Sequence, residues 1–398
     1  MICVNKEKIL KRIVPNERKR AKIAALISKF LTKLSKNLKI ANVIIGGSFA
    51  KDTWLKGNYD IDIFVIFKDE KNISKLRGVL KKISRRMKIV HGSRDYYQIK
   101  ENDLMFEIVP VLKISKASEA KNIMDISPLH VKWVRENIDN LTDDIRLSKA
   151  FCIAQKVYGA ESYIKGFSGY ALELLVIYYK GFENLIRAVA KWKPGVIIDI
   201  KGYGSYDKLN KSKISPLILI DPVQKERNAA AALSIEKFDE FVNACKAYLK
   251  KPSEKFFIQK KTKIPKDAVA LKIIPLKGKE DVARAKALSA FNYIKKMLNE
   301  EGFVVKDSGI EFNKEILMWY KVKKRISRYK VHYGPPVKKK LNLESFKEKW
   351  ANYNIYEKNG RVYVNIKRKF TKARGFIKEL IKDKVIKEKV RKIEAKSL

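Results

Sequence analysis

The stretch from Val43 to Phe67, VIIGGSFAKDTWLKGNYDIDIFVIF, limits what this chain can fold into more than any other. An apolar run, Ala41–Ile45, passes through Gly46-Gly47-Ser48 into a short helix expected from Phe49. After Gly57-Asn58 a second apolar run follows, carrying Asp60 and Asp62. A strand that ends in two glycines and a serine at the start of a helix exposes backbone N–H groups, and such orphan donors favour phosphate oxygens. In the second strand, residues two apart leave the same face, so both carboxylates point one way. Their neighbours Ile61, Ile63, Phe64, Val65 and Ile66 are apolar on both faces, as in a buried strand. Two acids on one face of such a strand repel each other and are costly to desolvate. A divalent cation removes both costs, and Mg²⁺ suits oxygen ligands while sharing its shell with substrate phosphates. A Gly-Gly-Ser by itself is usually a turn, and an Asp-x-Asp a surface pair. Their order within one strand–turn–helix–strand unit is what points to nucleotide and metal.

A third acid has the same logic. In Leu104-Met105-Phe106-Glu107-Ile108-Val109-Pro110-Val111, Glu107 sits alone in an apolar strand. Taken alone it could lie at a sheet edge or pair with a lysine. Beside the Asp-x-Asp strand it is the natural third carboxylate of a two-metal site.

The wider chain sets the class of partner. Its 398 residues suggest about two to four domains with ample cores. Lys and Arg number 88 against 43 Asp and Glu, a formal charge of +45, which favours a polyanionic partner without saying which. Cys3, Cys152 and Cys245 are far apart and form neither a CxxC site nor a disulfide framework, which fits a reducing cytoplasm. The N-terminus mixes its charges through a helical pattern, unlike a signal peptide, and no run reaches the roughly 20 apolar residues of a membrane span.

Helical spacing predicts helices over 17–37, 74–87, 143–158, 171–179 and 234–249, with Ser168 as a cap. Strands are expected around Ile89 and over 104–111 and 217–221. The segment 192–204 reads as a connecting excursion and 225–233, with Arg227 and Asn228 before an alanine run, as helical. Further on, strands at 268–275 and 303–306 flank a helix over 281–299, and aromatics alternate along 310–321. His332–Pro336 reads as a rigid loop, 343–350 as a short helix and 370–394 as a long basic helix. Asn359-Gly360 between Tyr353–Tyr356 and Val362–Ile366 is the strongest hairpin signal. Mixed strands and helices with aromatics and Lys/Arg clusters fit an α+β RNA-binding region. There is no fixed-period repeat.

The strand–turn–helix–strand unit resembles the signature of the DNA polymerase β-like nucleotidyltransferases. With SPLHVKWV, RLSKAFCIAQKVYGAESYIKGFSGYALELL, LIDPVQKERNAAAALS and VHYGPPV, most of the chain resembles the archaeal, class I tRNA CCA-adding enzymes. The resemblance implies an α+β multidomain protein with a polymerase β-like head over 1–141. A helical neck that recognises the base would span 142–252, and an RNA-binding body and tail 253–398. It implies template-independent addition of C, C and A to tRNA 3′ ends from CTP and ATP, with two Mg²⁺ ions. Asp60, Asp62 and Glu107 would be the catalytic and metal-binding acids. Gly47, Ser48 and Lys51 would meet the triphosphate, and Ser127, His130, Lys149 and Tyr158 would lie close to the nucleotide. Arg227 would read the base edge. Asp60 stands where the family often has Glu, Glu107 where it often has Asp, and Lys51 where arginine is common, and His91–Tyr97 is not mapped onto the family. The partner would be the acceptor stem and 3′ end of tRNA, in the cytoplasm and away from membranes, with a homodimer left open. The competing readings are a poly(A) or other RNA 3′-terminal nucleotidyltransferase, and a catalytically silent RNA-binding protein of the same fold.

Overall fold

The computed structural model describes residues 4–57, 59–259, 263–312, 315–323 and 325–396. Cys3 and Asn58 therefore lie outside the described residues. The chain divides into two compact units, Met1–Lys260 and Lys261–Leu398.

The first unit opens with α1 (Lys6–Ile13) and α2 (Glu17–Asn37), each capped by an asparagine side chain, Asn5 and Asn16. There follow β1 (Ala41–Ile45), α3 (Gly47–Ala50), β2 (Asp60–Phe67), α4 (Lys75–Ile83), β3 (Lys88–Val90), β4 (Tyr96–Glu101) and β5 (Leu104–Leu112). The strands form one sheet in the order β1-β2-β5-β4-β3. β2 and β5 run parallel, and the other neighbours antiparallel. Alternation along β2 decides which residues face which layer. Ile61, Ile63, Val65 and Phe67 are fully buried in a cluster that α2 and α4 cover, where Phe30 stacks on Phe106 at 4.1 Å. The other face carries Asp60, Asp62 and Phe64, and Phe64 packs with Val109, Val111 and Val131. Val131 belongs to α5 (Ser127–Asn137), so the acids share their side of the sheet with that helix.

The same unit continues with α6 (Thr142–Ala154), α7 (Gly169–Tyr179), α8 (Phe182–Val189), β6 (Val196–Asp199), β7 (Leu217–Ile220) and α9 (Ile235–Lys250). α7 is apolar nearly all round and accordingly buried, with Leu172, Leu174, Leu175 and Val176 at 0 % exposure. Ser168 caps it by accepting from Ala171 N at 3.0 Å.

The second unit holds β8 (Val269–Ile274), α10 (Glu280–Glu301), β9 (Val305–Phe312), β10 (Ile316–Val322), β11 (Tyr329–Pro336) and α11 (Lys340–Lys349). It ends with β12 (Ile355–Lys358), β13 (Arg361–Lys367), α12 (Ala373–Leu380), α13 (Lys384–Lys387) and β14 (Lys392–Lys396). One sheet runs β14-β8-β10-β9 and another β11-β13-β12. The Asn359-Gly360 hairpin is present, with φ of 52° and 71° at the two turn residues, the left-handed pair of a type I′ turn.

Several expectations are corrected. The basic helix expected to reach Met87 ends at Ile83, where Ser84 turns extended and the chain pairs as β3. The helix expected to reach Tyr158 stops at Ala154, because Lys156 takes a left-handed φ of 60° and Tyr158 bridges Phe167. The excursion 192–204 contains β6, parallel to β7. Residues 225–233 are not helical. Buried Asn228 accepts from Leu219 N and Ala230 N and donates to Lys213 O and Leu217 O, which pins the alanine run to β7 as turns. His332–Pro336 is the end of β11, paired with β13. The long basic helix is two short helices and a strand, since β14 completes the sheet beside β8. At 84–87, 225–233 and 388–394 tertiary pairing or a buried side chain overrides a local helical pattern.

Removing the stacked ring under β5 should test this core. Phe30→Ala should cost the first unit about 3–5 kcal/mol, read as a lower urea midpoint for its transition; a midpoint equal to the parent's would contradict the packing described.

Candidate functional site

The turn between β1 and α3 is built around its two glycines. Gly46 N donates to Asp62 O at 2.7 Å, drawing the turn onto β2. A Cβ on Gly46 would meet the Phe64 ring at 2.5 Å, and one on Gly47 would sit 1.7 Å from Asp62 Oδ2. Gly47 also has φ 54°, a left-handed conformation that favours glycine. The Asp62 carboxylate thus lies directly against the backbone of the turn, and no larger residue fits between them.

The parallel register sets Asp62 opposite Glu107 and Asp60 opposite Met105, so the three acids share one side of the sheet at the ends of two neighbouring strands. Asp60 is exposed, and Asp62 and Glu107 are half-buried. Burial first, then the charges of Glu107 and Asp60, lift the Asp62 carboxyl to about 7 against the nearby Lys51. Burial also raises Glu107, opposed by the hydrogen bond that Gln98 Nε2 donates to its Oε1 at 2.6 Å, with Asp60 adding to the rise. Among the described residues no three such ligands converge tightly enough to hold an ion unaided. Mg²⁺ ordinarily needs only one or two carboxylates besides phosphate oxygens and water. Carboxyls raised first by burial and then by each other are a donor set that a hard cation relieves, so these residues fit one.

Two cation–acid clusters flank the acids. In the first, Glu173 of α7, 1 % exposed, takes Lys51 Nζ at 2.5 Å on one oxygen and Lys149 Nζ at 2.8 Å on the other. Thr53 joins it, donating to Glu173 and accepting from Lys149, both at 2.8 Å. Burial would raise Glu173, but Lys149 and then Lys51 outweigh it and hold the carboxyl at about 2. Burial pulls Lys149 below the ordinary lysine value, resisted mainly by Glu173. Ser48, Thr53, Lys149 and Tyr158 line one cavity of about 390 Å³. A larger, apolar cavity of about 850 Å³ runs along α2 and touches none of these residues except through the neighbouring Phe49 and Trp54.

In the second cluster, fully buried Asp221 at the end of β7 gathers three neighbours. Arg227 NH1 lies 2.5 Å from its Oδ2, and Tyr170 donates to Oδ1 at 3.0 Å. His130 Nε2 is 3.0 Å from Oδ2, an ion-pair distance without the alignment of a hydrogen bond. Burial would raise Asp221, yet His130 and Arg227 hold it at about 2. His130 rests on the Tyr170 ring at 4.5 Å, and the Arg227 guanidinium lies over the same ring at 5.8 Å. Ser127 opens α5 one turn before His130, on the same face of that helix. Of the residues expected from the sequence, Gly47, Asp60, Asp62 and Glu107 therefore gather in one place. Lys51 and Lys149 meet on Glu173, Ser48 and Tyr158 share the cavity beside them, and His130 and Arg227 meet on Asp221. Arg94, from the unmapped segment, is turned onto the backbone frame: it clamps buried Asp125, which also accepts from Leu112 N and Asn122 N.

Sequence reasoning passed over Glu173, Thr53, Tyr170 and Asp221. Glu173 is the lone acid in ALELLVI and Asp221 closes the apolar run LILID, so the argument that singled out Glu107 applied to both.

A nucleotidyltransferase domain model matches residues 27–130, and the second domain of tRNA nucleotidyltransferase matches 143–258. The CCA-adding enzyme C-terminal domain matches 285–394. The CCA-adding enzyme of Nanoarchaeum equitans is 37 % identical over 370 residues, 90 % of this chain and 92 % of that protein. That of Sulfurisphaera tokodaii is 34 % identical over 389 residues, 94 % of this chain and 90 % of its own. The chain belongs to the CCA-adding enzyme family. Among solved structures, a cytoplasmic RNA terminal U-transferase aligns with a TM-score of 0.52 at 13 % identity, covering 65 % of this chain and 98 % of that one. The Cid1 poly(U) polymerase bound to MgATP aligns with a TM-score of 0.51 at 14 % identity, covering 64 % and 98 %. At such identities they establish the fold alone. This CCA-adding family member is thus an enzyme with a nucleotidyltransferase head.

The Glu173 cluster makes a testable demand on stability. A carboxyl held below its unfolded value stabilises the native state fully above about pH 4.5, and that share is lost as pH falls toward 2. Glu173→Gln should therefore cost about 3–5 kcal/mol at pH 7, with the gap to the parent closing between about pH 4.5 and 2, followed by urea titrations across that range. A gap that stays constant down to pH 2 would contradict it.

Proposed function

We propose that this chain adds C, C and A to the 3′ end of tRNA from CTP and ATP, without a template, at the site built around β2. The observation that carries the chemical reading is the register that seats Glu107 beside Asp62 with the Gly47 turn directly above them. On this reading Asp60, Asp62 and Glu107 would hold two Mg²⁺ ions. Ions bound there would supply the acidity that lowers the pKa of the attacking 3′-hydroxyl and neutralises charge on the departing pyrophosphate. The backbone amides of the Gly47-Ser48 turn would meet phosphate oxygens, and Lys51 and Lys149 would bring cationic charge to the triphosphate. Lys51 acts as a point charge rather than a bidentate fork.

Cytosine and adenine each present an exocyclic amino donor beside a ring-nitrogen acceptor. Arg227, held by Asp221 over the Tyr170 ring, would supply a fixed donor to that acceptor, while nearby backbone takes the amino group. Uracil and guanine present the reverse pattern and would leave it unpaired. Ser127, His130 and Tyr158 would shape the nucleotide pocket around it. In this scheme residues 1–141 act as the catalytic head, 142–252 as the neck that selects the base, and 253–398 as the body and tail that grip tRNA. The enzyme would work in the cytoplasm. The tRNA would be held by shape and phosphate contacts, because every tRNA must be accepted.

The decisive measurement is sequencing of product ends made on one tRNA trimmed before CCA, with Mg²⁺ and all four nucleoside triphosphates. Addition should stop after C, C and A; a long homopolymer would favour a poly(A)-type enzyme, and an unextended tRNA would favour a silent RNA binder. Asp62→Asn should lower incorporation by at least the ~10–100-fold typical of losing even an outer contact to a metal, with tRNA binding retained. Arg227→Ala should blur selection of CTP and ATP against UTP and GTP more than it weakens tRNA binding, and unchanged incorporation ratios would rule out its role as base reader.

A further inference from the structure

The β11-β13-β12 sheet has two unlike faces. On one, Val362 and Val364 are 5 % and 0 % exposed and pack with Phe346 of α11. His332, opposite Val364 in the register, stacks toward the same helix. On the other face the register aligns three tyrosines in a row across all three strands, Tyr333 opposite Tyr363 and Tyr363 opposite Tyr356. Their rings touch in sequence, with centroids 6.0 Å apart between Tyr333 and Tyr363 and 5.3 Å between Tyr356 and Tyr363. Tyr333 is 59 % exposed and Tyr356 42 %, large values for aromatic rings that have each other as neighbours.

Charge separates the faces as well. Strand alternation puts Lys358, Arg361 and Lys367 on the tyrosine side, and Lys330 and Glu357, the one acid in these three strands, on the helix side. A core face would not leave its rings in water, and a merely solvated face would not line up three of them. Rings flanked by cations and no acid complement a ligand with flat π-faces and negative charge.

We propose that Tyr333, Tyr363 and Tyr356 form a stacking platform for unpaired RNA bases, with Lys358, Arg361 and Lys367 on the adjoining phosphates. The choice of tRNA as the RNA rests on the function proposed above; the platform itself does not. Stacking on aromatic rings is tolerant of sequence because every base has a π-face, so it adds affinity without favouring one tRNA over another. The shared chemistry is an unpaired base, presented by a loop of folded tRNA or by a single strand.

The test is equilibrium binding by the full chain to trimmed tRNA, to a short single-stranded RNA and to an RNA duplex, without nucleoside triphosphates. Replacing the three tyrosines together by alanine should weaken tRNA binding at least ~5-fold, while the all-phenylalanine variant binds like the parent. The slope of log Kd against log salt should not change, because no phosphate contact is lost. Weakening with tRNA alone assigns the platform to bases of the folded molecule, and equal weakening with the single strand assigns it to any unpaired stretch. Parent-like tRNA binding by the alanine variant overturns the proposal, as does a loss shared by the phenylalanine variant or by the duplex. Tyr333→Ala alone, at the most exposed of the three rings, gives the same readout should the triple variant fold poorly. Because the readout is binding, a chain that extends no tRNA yet loses RNA affinity upholds the platform and sinks only the enzymatic reading.

Discussion

Parallel pairing of β2 with β5 is the interaction on which the rest depends. It forces Asp62 and Glu107 into neighbouring positions on one side of a sheet whose other side is core. Two carboxylates at adjacent strand positions lower each other's willingness to ionise, and partial burial adds to that. The fold accepts this cost in a place where it also seats a backbone turn so closely that glycine alone fits at residue 47. Local order here is paid for elsewhere in the domain, by the apolar layer of Phe30, Phe106 and the odd-numbered residues of β2. Carboxylates that repel one another in a half-buried place are a charge arrangement that a divalent cation relieves.

The two buried acids nearby carry the opposite sign of perturbation, and the contrast is informative. Glu173 and Asp221 are more deeply buried than Asp62, yet each is held ionised by cations it touches. Burial alone therefore does not decide the charge state; the count of opposite charges within contact does. Glu173 spans from α7 to Lys51 and Thr53 beside the glycine turn and to Lys149 on α6. It ties the glycine turn to the helices that follow and holds both lysine amines in place. Keeping Lys149 charged in so dry a setting needs that carboxylate.

Much of this was legible from residues alone, for physical reasons. The glycine turn and the Asp-x-Asp strand are local signals, and so is Asn359-Gly360, since each depends on what one short segment can do. Glu107 was legible because an acid in an apolar strand demands an explanation. The same demand at Glu173 and Asp221 went unread, since the lysines on Glu173 are 24 and 122 residues away, and Asp221 meets His130 from a distant helix and Arg227 across a turn. The helical readings of 225–233 and 370–394 failed for a related reason. Alanine and lysine favour helices in isolation, but buried Asn228 claims the backbone around the first, and β8 offers the second a strand to pair with.

The Asp221 cluster also constrains what kind of contact Arg227 can make. An unpaired guanidinium near a triphosphate would be drawn to phosphate. The Asp221 carboxylate, which His130 also approaches, satisfies part of its fork at 2.5 Å, and the Tyr170 ring beneath limits its swing. What is left is a planar donor of restricted direction. Lys51 and Lys149 differ in this respect. They share one carboxylate between two lysine amines, beside the glycine turn. The two clusters thus differ in make-up: two lysines on one buried acid beside the glycine turn, against one guanidinium set between a carboxylate and a ring.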